Sequence, residues 1–381
     1  MSVSTPKAPP PLLERLGISL LQGGAEAAAS ADDPIHVLNP VERAALRRVV
    51  RGAVVRAALA GVLNAVATGF GELYAHSQLG PMPHHATLAQ RASYWGVFGV
   101  AAIVFAVLEI AYLYWDGLRA VRRLAAVAGL ELRADANAEV ALALARAALE
   151  LPNPPEATLG VNPHREASKA QLLVASLVYK LKISVSNFLF KAILQRALGR
   201  FATRHLLAFA AVPINAVWNG LVCWAVLREA RIRVMGPSAA VEMLDVVLEG
   251  ESSPSPQLAA AIQHAVGSAV VRTRELHPNH VAILRAVRRR LGEPAPGLEL
   301  DDSSAFLRAL AKLEDAERRI VLRVLAAAAI LDGRLARAER RLLIEAYAVA
   351  NVPSALAYVE QLRRAFVAGD VITREELLRT A

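Results

Sequence analysis

The sequence predicts an all-α chain: membrane-embedded helices followed by a soluble helical bundle. Three observations predict it. Long uncharged apolar stretches bounded by arginines or aromatics recur before residue 237, each near the ~20 residues a helix needs to cross a bilayer. From Ser303 onward, apolar residues fall at three- and four-residue spacing. No segment of that tail alternates with period two, as a half-buried strand would. The apolar share of 55% against 20% charged residues excludes a disordered chain. The single cysteine, Cys223, excludes a disulfide-stapled scaffold.

Residues 1–39 read as a flexible lead. It lacks the basic start and long apolar core of a secretory signal, and holds one amphipathic turn at Leu12, Leu13 and Leu16. Asn39-Pro40-Val41-Glu42 opens a helix: Asn39 caps, Pro40 takes the first helical position, and Glu42 falls at N3. That helix passes Arg43, Arg47, Arg48 and Arg51 into a first span at about 52–75. There Gly61, Ala65 and Gly69 form a small-residue face that lets helices approach closely. Tyr94–Trp115 is the second span. Aromatics stand at both ends, as at two membrane interfaces, and Glu109 is its only charge. Leu151–Pro155 stops the helix that ends near Glu150. The stretch 172–194, within Ala170–Leu198, carries Lys180, Lys182 and Lys191. Whether it spans or lies on the surface is left open. Leu206–Leu227 has no internal charge, but Pro213, Asn215 and Asn219 imply a kink or polar contact with another helix. Gly236-Pro237-Ser238 then starts the soluble tail and closes a membrane domain over 40–237.

Charge sets the orientation. Residues 1–237 hold 24 Lys+Arg against 15 Asp+Glu; residues 238–381 hold 19 of each, so the whole excess of +9 lies in the membrane half. Anionic headgroups are the partner this implies, not nucleic acid; Arg288-Arg289-Arg290 complements a helix C-terminus. Arg43–Arg51 and Arg119, Arg122 and Arg123 place residues 1–51 and 117–169 in the cytoplasm and 76–93 outside. The last span is flanked by arginines on both sides; an even number of crossings returns the C-terminus to the cytoplasm. Arginine outnumbers lysine 37 to 6, as in a GC-rich bacterial genome.

Residues 238–302 read as a helical connector with loops at Ser252–Pro256 and Gly292–Gly297. Beyond it, Leu313–Leu331 forms one helix stopped by Asp332-Gly333. Ala336–Ala350 forms the next, Pro353 opens another to about Ala368, and Thr373 caps a last short one with Glu376 at N3.

Val324–Ala346 (VLAAAAILDGRLARAERRLLIEA) resembles the TerB-like, tellurite-resistance-type helical domain, through Asp332, Gly333, Leu335, Glu339, Arg340 and Leu343. Gly369–Glu375 is a looser second echo, so residues 303–381 are taken as that domain. The resemblance implies metal binding by acidic residues around this turn, and Asp332 and Glu339 are the positions that match. Arg334, Arg337, Arg340 and Arg341 crowd them, so the residues themselves read as structural: Asp332 caps the next helix and Glu339 pairs with arginines. The membrane half resembles an uncharacterised family of multi-pass bacterial membrane proteins through Leu151–Pro155, Tyr179–Lys182, Phe188–Lys191 and Met235–Ser238.

No phosphate-binding loop, dinucleotide fingerprint or nucleophile elbow occurs. His76, His84 and His85 read as solvated, and His277–His280 as a helix start. The expectation is therefore an integral inner-membrane protein, not an enzyme and without a cofactor. Its cytoplasmic helical domain binds a protein partner in an envelope- or stress-related scaffold, and homo-oligomerisation is left open. The alternative is a small channel or transporter with Glu109, Asn215 and Asn219 in a polar path.

Overall fold

The computed structural model describes residues 11–23, 37–79, 87–130, 138–149, 151, 157–167, 212–251 and 253–381. The segment 172–194, His84, His85 and residues 206–211 of the last expected span lie outside them. Among the described residues every regular element is an α-helix, beside one isolated bridge between Thr158 and Val161. In chain order these are α1 (Leu12–Gln22), α2 (Pro40–Leu79), α3 (Leu88–Val127), α4 (Ala138–Ala148), α5 (Val212–Val247) and α6 (Pro256–Thr273). They continue with α7 (Pro278–Leu291), α8 (Ser303–Ala311), α9 (Asp315–Leu331), α10 (Arg337–Val349), α11 (Leu356–Ala368) and α12 (Arg374–Leu378).

Local signals fix most helix starts. The Asn39 side chain accepts from the amides of Val41 and Glu42, each at 2.9 Å, and Glu42 accepts from Asn39 N at 2.8 Å. Thr373 and Glu376 form the same reciprocal box at α12. Two expectations fail. Gly236-Pro237-Ser238 is no linker, because α5 runs through it to Val247. Asn279 of α7 packs there, its Nδ2 donating to Ile232 O at 2.9 Å. Pro353 does not open a helix either. Asn351 adopts φ 56°, the chain leaves α10 there, and α11 starts only at Leu356.

The chain packs as two units made of non-contiguous pieces. Unit 1 takes Met1–Leu46, Val121–Ser168 and Arg228–Ala381; unit 2 takes Arg47–Ala120 and Lys169–Leu227. The sequence blocks 1–39, 40–237, 238–302 and 303–381 place the break about ten residues later and do not draw 121–168 to the C-terminal helices.

In unit 1, α9 is central. Its C-terminal half, Val324–Leu331, is buried without a gap, and it packs on α6, α7, α10 and α11. Phe306 of α8, Tyr347 of α10 and Phe366 of α11 fill the space around it. α1 packs on α4, where Glu14 accepts two hydrogen bonds from Arg146, at 3.0 and 2.8 Å.

Unit 2 has the opposite distribution. Along α2 the small residues Ala53, Ala57, Gly61, Ala65 and Gly69 are buried, while Val55, Leu59, Leu63, Phe70 and Tyr74 face outward. Leu63 is 69% exposed, Ile103 of α3 65% and Val217 of α5 62%. Small residues inside and large apolar ones outside is the reverse of a water-soluble bundle. Pairing fixes the directions. Arg56 meets Asp116 and Asn64 meets Glu109, so α2 and α3 are antiparallel. Gly61 lies on the Asn215 backbone and Gly220 on Val54, so α2 and α5 are antiparallel as well. α3 and α5 therefore run the same way. Among the described residues one stretch, Pro40–Tyr74, is long and apolar enough to cross a membrane, and only 28% of its most apolar part is buried. Pro213 lies in the first described turn of α5.

Candidate functional site

The most concentrated chemistry in unit 1 lies where α7, the end of α9 and the start of α10 meet. α7 begins at Pro278 with His277 as its cap. His277 Nδ1 accepts from Asn279 N at 3.2 Å, so its proton is on Nε2, which donates to Glu229 at 2.9 Å. Glu229 also takes Arg233 at 3.0 Å and Arg334 at 3.1 Å. Burial alone would raise the Glu229 carboxyl, but His277 and these arginines hold it well below the usual range. Asn279 bridges Ile232 O and Leu331 O, at 2.9 and 2.6 Å, and locks α7 against α5 and α9.

That lock sets His280 inside, fully buried. Its Nε2–H donates to Ala328 O at 3.2 Å, so Nδ1 carries the lone pair, and Nδ1 is buried without a hydrogen-bond partner. α9 stops at Asp332, and Gly333 at φ 68° turns the chain toward α10, a backbone state costly for residues with a Cβ. Asp332 is 4% exposed, and its Oδ1 accepts from Arg334 N at 2.8 Å. Glu339, at N3 of α10 and 1% exposed, accepts from Ala336 N at 2.8 Å through Oε2; its Oε1 is buried without a partner. One ligand-type atom from each of His280, Asp332 and Glu339 lies within 4.8 Å of the others.

The electrostatics follow from burial. It pushes Asp332 up to about 7, against the pull of the Arg334 amide and charge. It raises Glu339 well above the carboxylate range, and neighbouring Asp332 adds to the rise. It drives His280 down to about 3, so the imidazole is neutral. Two buried carboxyls with raised proton affinity stand beside a neutral imidazole whose lone pair has no hydrogen-bond partner, an N/O set of the ligand types a divalent cation takes once the carboxyl protons leave.

The sequence reading placed Asp332 and Glu339 correctly in one turn but gave them other roles. Asp332 does not cap α10. It ends α9 and braces the turn, and Ala336 is the cap residue of α10. Glu339 pairs with none of the four arginines. Arg334 reaches to Glu275 and Glu229, and Arg337, Arg340 and Arg341 are exposed. Those guanidiniums do not pair with Glu339, although the charge of Arg334 still acts on Asp332. His280 went unnoticed as a partner because it lies in another helix; its only signal was the His277–His280 pair.

In unit 2 the structure joins two of the three polar residues expected there. Glu109 accepts from Asn219 Nδ2 at 2.7 Å and from Asn64 Nδ2, and Thr68 Oγ1 donates to Asn64 Oδ1 at 3.4 Å. Asn215 contributes its backbone, against Gly61. Asn64 and Thr68 were missed because single polar residues in an apolar helix carry no periodic signal. Nearer the basic end, Arg56 Nε donates to buried Asp116 at 2.9 Å. Compared with known proteins, the chain matches no family model, no curated protein and no solved structure.

Proposed function

We propose that the chain is an integral membrane protein of the bacterial inner membrane whose unit 1 is a cytoplasmic helical interaction domain organised around a divalent-metal site. The observation that carries the membrane reading is the inverted burial of unit 2. Its large apolar side chains, among them Leu63, Ile103, Val107 and Val217, face outward on α2, α3 and α5. Lipid tails solvate such a face; water does not. The directions of the helices support a topology. The basic end of α2 (Arg43–Arg51) and the basic end of α3 (Arg119, Arg122, Arg123) lie at the same end of their antiparallel pair. The end of α5 that leads into Arg228, Arg231 and Arg233 lies there too. The positive-inside rule makes that end cytoplasmic and puts residues 228–381 on the same side as residues 40–51.

The TerB-like resemblance of Val324–Ala346 supports an interaction domain and implies a metal. His280, Asp332 and Glu339 would hold it, with His280 oriented by Ala328 O, the outer hydrogen bond that ligating histidines usually make. A bound cation would replace the protons of the two carboxyls and clip α7, α9 and α10 together. With His280, Asp332 and Glu339 buried, the domain is read as a docking module.

Two measurements test this reading. Alkaline carbonate washing of membranes should leave the chain in the pellet, and its release would refute the membrane reading. Zinc added to detergent-solubilised full-length protein should bind at one site per chain and release protons, and Asp332→Asn should abolish that. Proton release unchanged in the variant would remove the metal site.

A further inference from the structure

The amphipathic turn at Leu12–Leu16 has no part in the spans or in the buried donor set. It belongs to α1, which carries two apolar faces. Four residues advance a helix by about 40° past a full turn, so Leu12, Leu16 and Leu20 form one stripe. They are 76%, 60% and 46% exposed. The opposite face is buried, with Gly17 and Leu21 inside, and α1 packs on α4. Glu14, the only acid of the helix, is turned inward and accepts from Arg146 of α4 at 3.0 and 2.8 Å. That leaves Arg15 and Ser19 exposed beside the leucines and no exposed carboxylate on the helix. An apolar stripe edged by a cation alone is the pattern of a helix lying in a membrane interface. Eleven residues make a marginal helix in water, and the packing on α4 holds this one formed.

We propose that α1 is an interfacial helix that lays Leu12, Leu16 and Leu20 into the anionic cytoplasmic leaflet, with Arg15 among the headgroups. This rests on the membrane reading of unit 2. Two observations choose lipid as the occupant of the stripe. The first is attachment. Arg122 Nη1 donates to Leu20 O at 3.5 Å. Arg122 stands with Arg119 and Arg123 in the basic end of α3, seven residues past Trp115 on one unbroken helix, and the positive-inside rule makes that end cytoplasmic. The second is charge. Arg15 borders the stripe and Arg122 holds the end of the helix, while Glu14 is neutralised by Arg146, so an anionic surface is the complement. The inner leaflet offers such a surface at all times. A protein partner that came and went would return three leucines to water at each departure. Docked this way, α1 holds the α1–α4 pair of unit 1 against the bilayer.

The test uses the full-length chain in a Cys223→Ala background, reconstituted into phosphatidylcholine bilayers with or without phosphatidylglycerol. A nitrobenzoxadiazole label is placed at Leu16→Cys and, as a control, at Ile344→Cys, another exposed apolar position of unit 1. Two quenchers report its surroundings: doxyl-labelled lipid and aqueous iodide. At Leu16→Cys, doxyl lipid should quench and iodide should not, and doxyl quenching should weaken when phosphatidylglycerol is left out. At Ile344→Cys the order should reverse. Arg15→Glu replaces a cation by an anion at the headgroups and should lower the docking equilibrium by roughly five- to thirtyfold, read as a loss of doxyl quenching at Leu16→Cys. Arg15 is exposed, so that variant leaves the packing on α4 in place. A label reached by iodide and not by doxyl lipid overturns the proposal. A label shielded from both quenchers overturns it in favour of cover by protein, from this chain or a second copy. Equal doxyl quenching at Ile344→Cys, or quenching indifferent to Arg15→Glu and to phosphatidylglycerol, overturns it as well. Each of these results in a chain that resists carbonate leaves the membrane reading intact; release by carbonate overturns the membrane reading itself.

Discussion

Glu339→Gln should stabilise unit 1 in a pH-dependent way when metal is chelated. In the folded chain, burial and then Asp332 keep Glu339 protonated well above the ordinary carboxylate range. In the unfolded chain it ionises near 4.3. The folded state therefore binds the extra proton, and the free energy of unfolding falls as pH rises through that window. Below the unfolded value the stability is intact; it is lost progressively as pH climbs toward the folded value. While the folded chain keeps the proton that the unfolded chain loses, the slope is on the order of 1 kcal/mol per pH unit, so two pH units inside that window cost roughly 2–3 kcal/mol. Glutamine keeps the acceptor for Ala336 N, matches the volume and carries no proton to lose. The variant should thus melt above the wild type by a margin that grows with pH. At about 2–4 °C per kcal/mol for a unit this size, the gap should widen by roughly 5–10 °C from pH 5 to pH 7. Thermal melting of both detergent-solubilised chains with a chelator present measures it. A gap equal at both pH values would show that Glu339 is ionised in the folded chain and that the argument is wrong. Adding zinc at pH 7 should close the gap from the other side, since it stabilises only the chain that still has both carboxylates.

Two further outcomes follow from the same packing. Asn279→Ala removes the side-chain donor to Leu331 O and Ile232 O and should cost about 1–3 kcal/mol, read as a lower melting temperature together with weaker zinc binding. Phe306→Ala empties a fully buried site in the unit 1 core and should cost about 3–5 kcal/mol in melting experiments, while carbonate resistance is unchanged because unit 2 is untouched.

The sequence by itself determined the helices and many of their ends. Capping boxes at Asn39–Glu42 and Thr373–Glu376, and the stop at Asp332-Gly333, join residues at most three apart, so they are readable without knowing what lies across from them. It also determined that long apolar stretches had to be buried in something. The tertiary structure alone decided which face of each helix turned outward and which polar groups met. Glu109 finds Asn64 and Asn219 from 45 and 110 residues away, and His280 joins Asp332 from a separate helix. Those meetings depend on helix register and on close approach at positions such as Gly61. Two breaks also differ from the sequence reading. Pro237 lies inside α5, which runs on to Val247. Pro353 falls in a loop because Asn351 has already taken the chain out of α10.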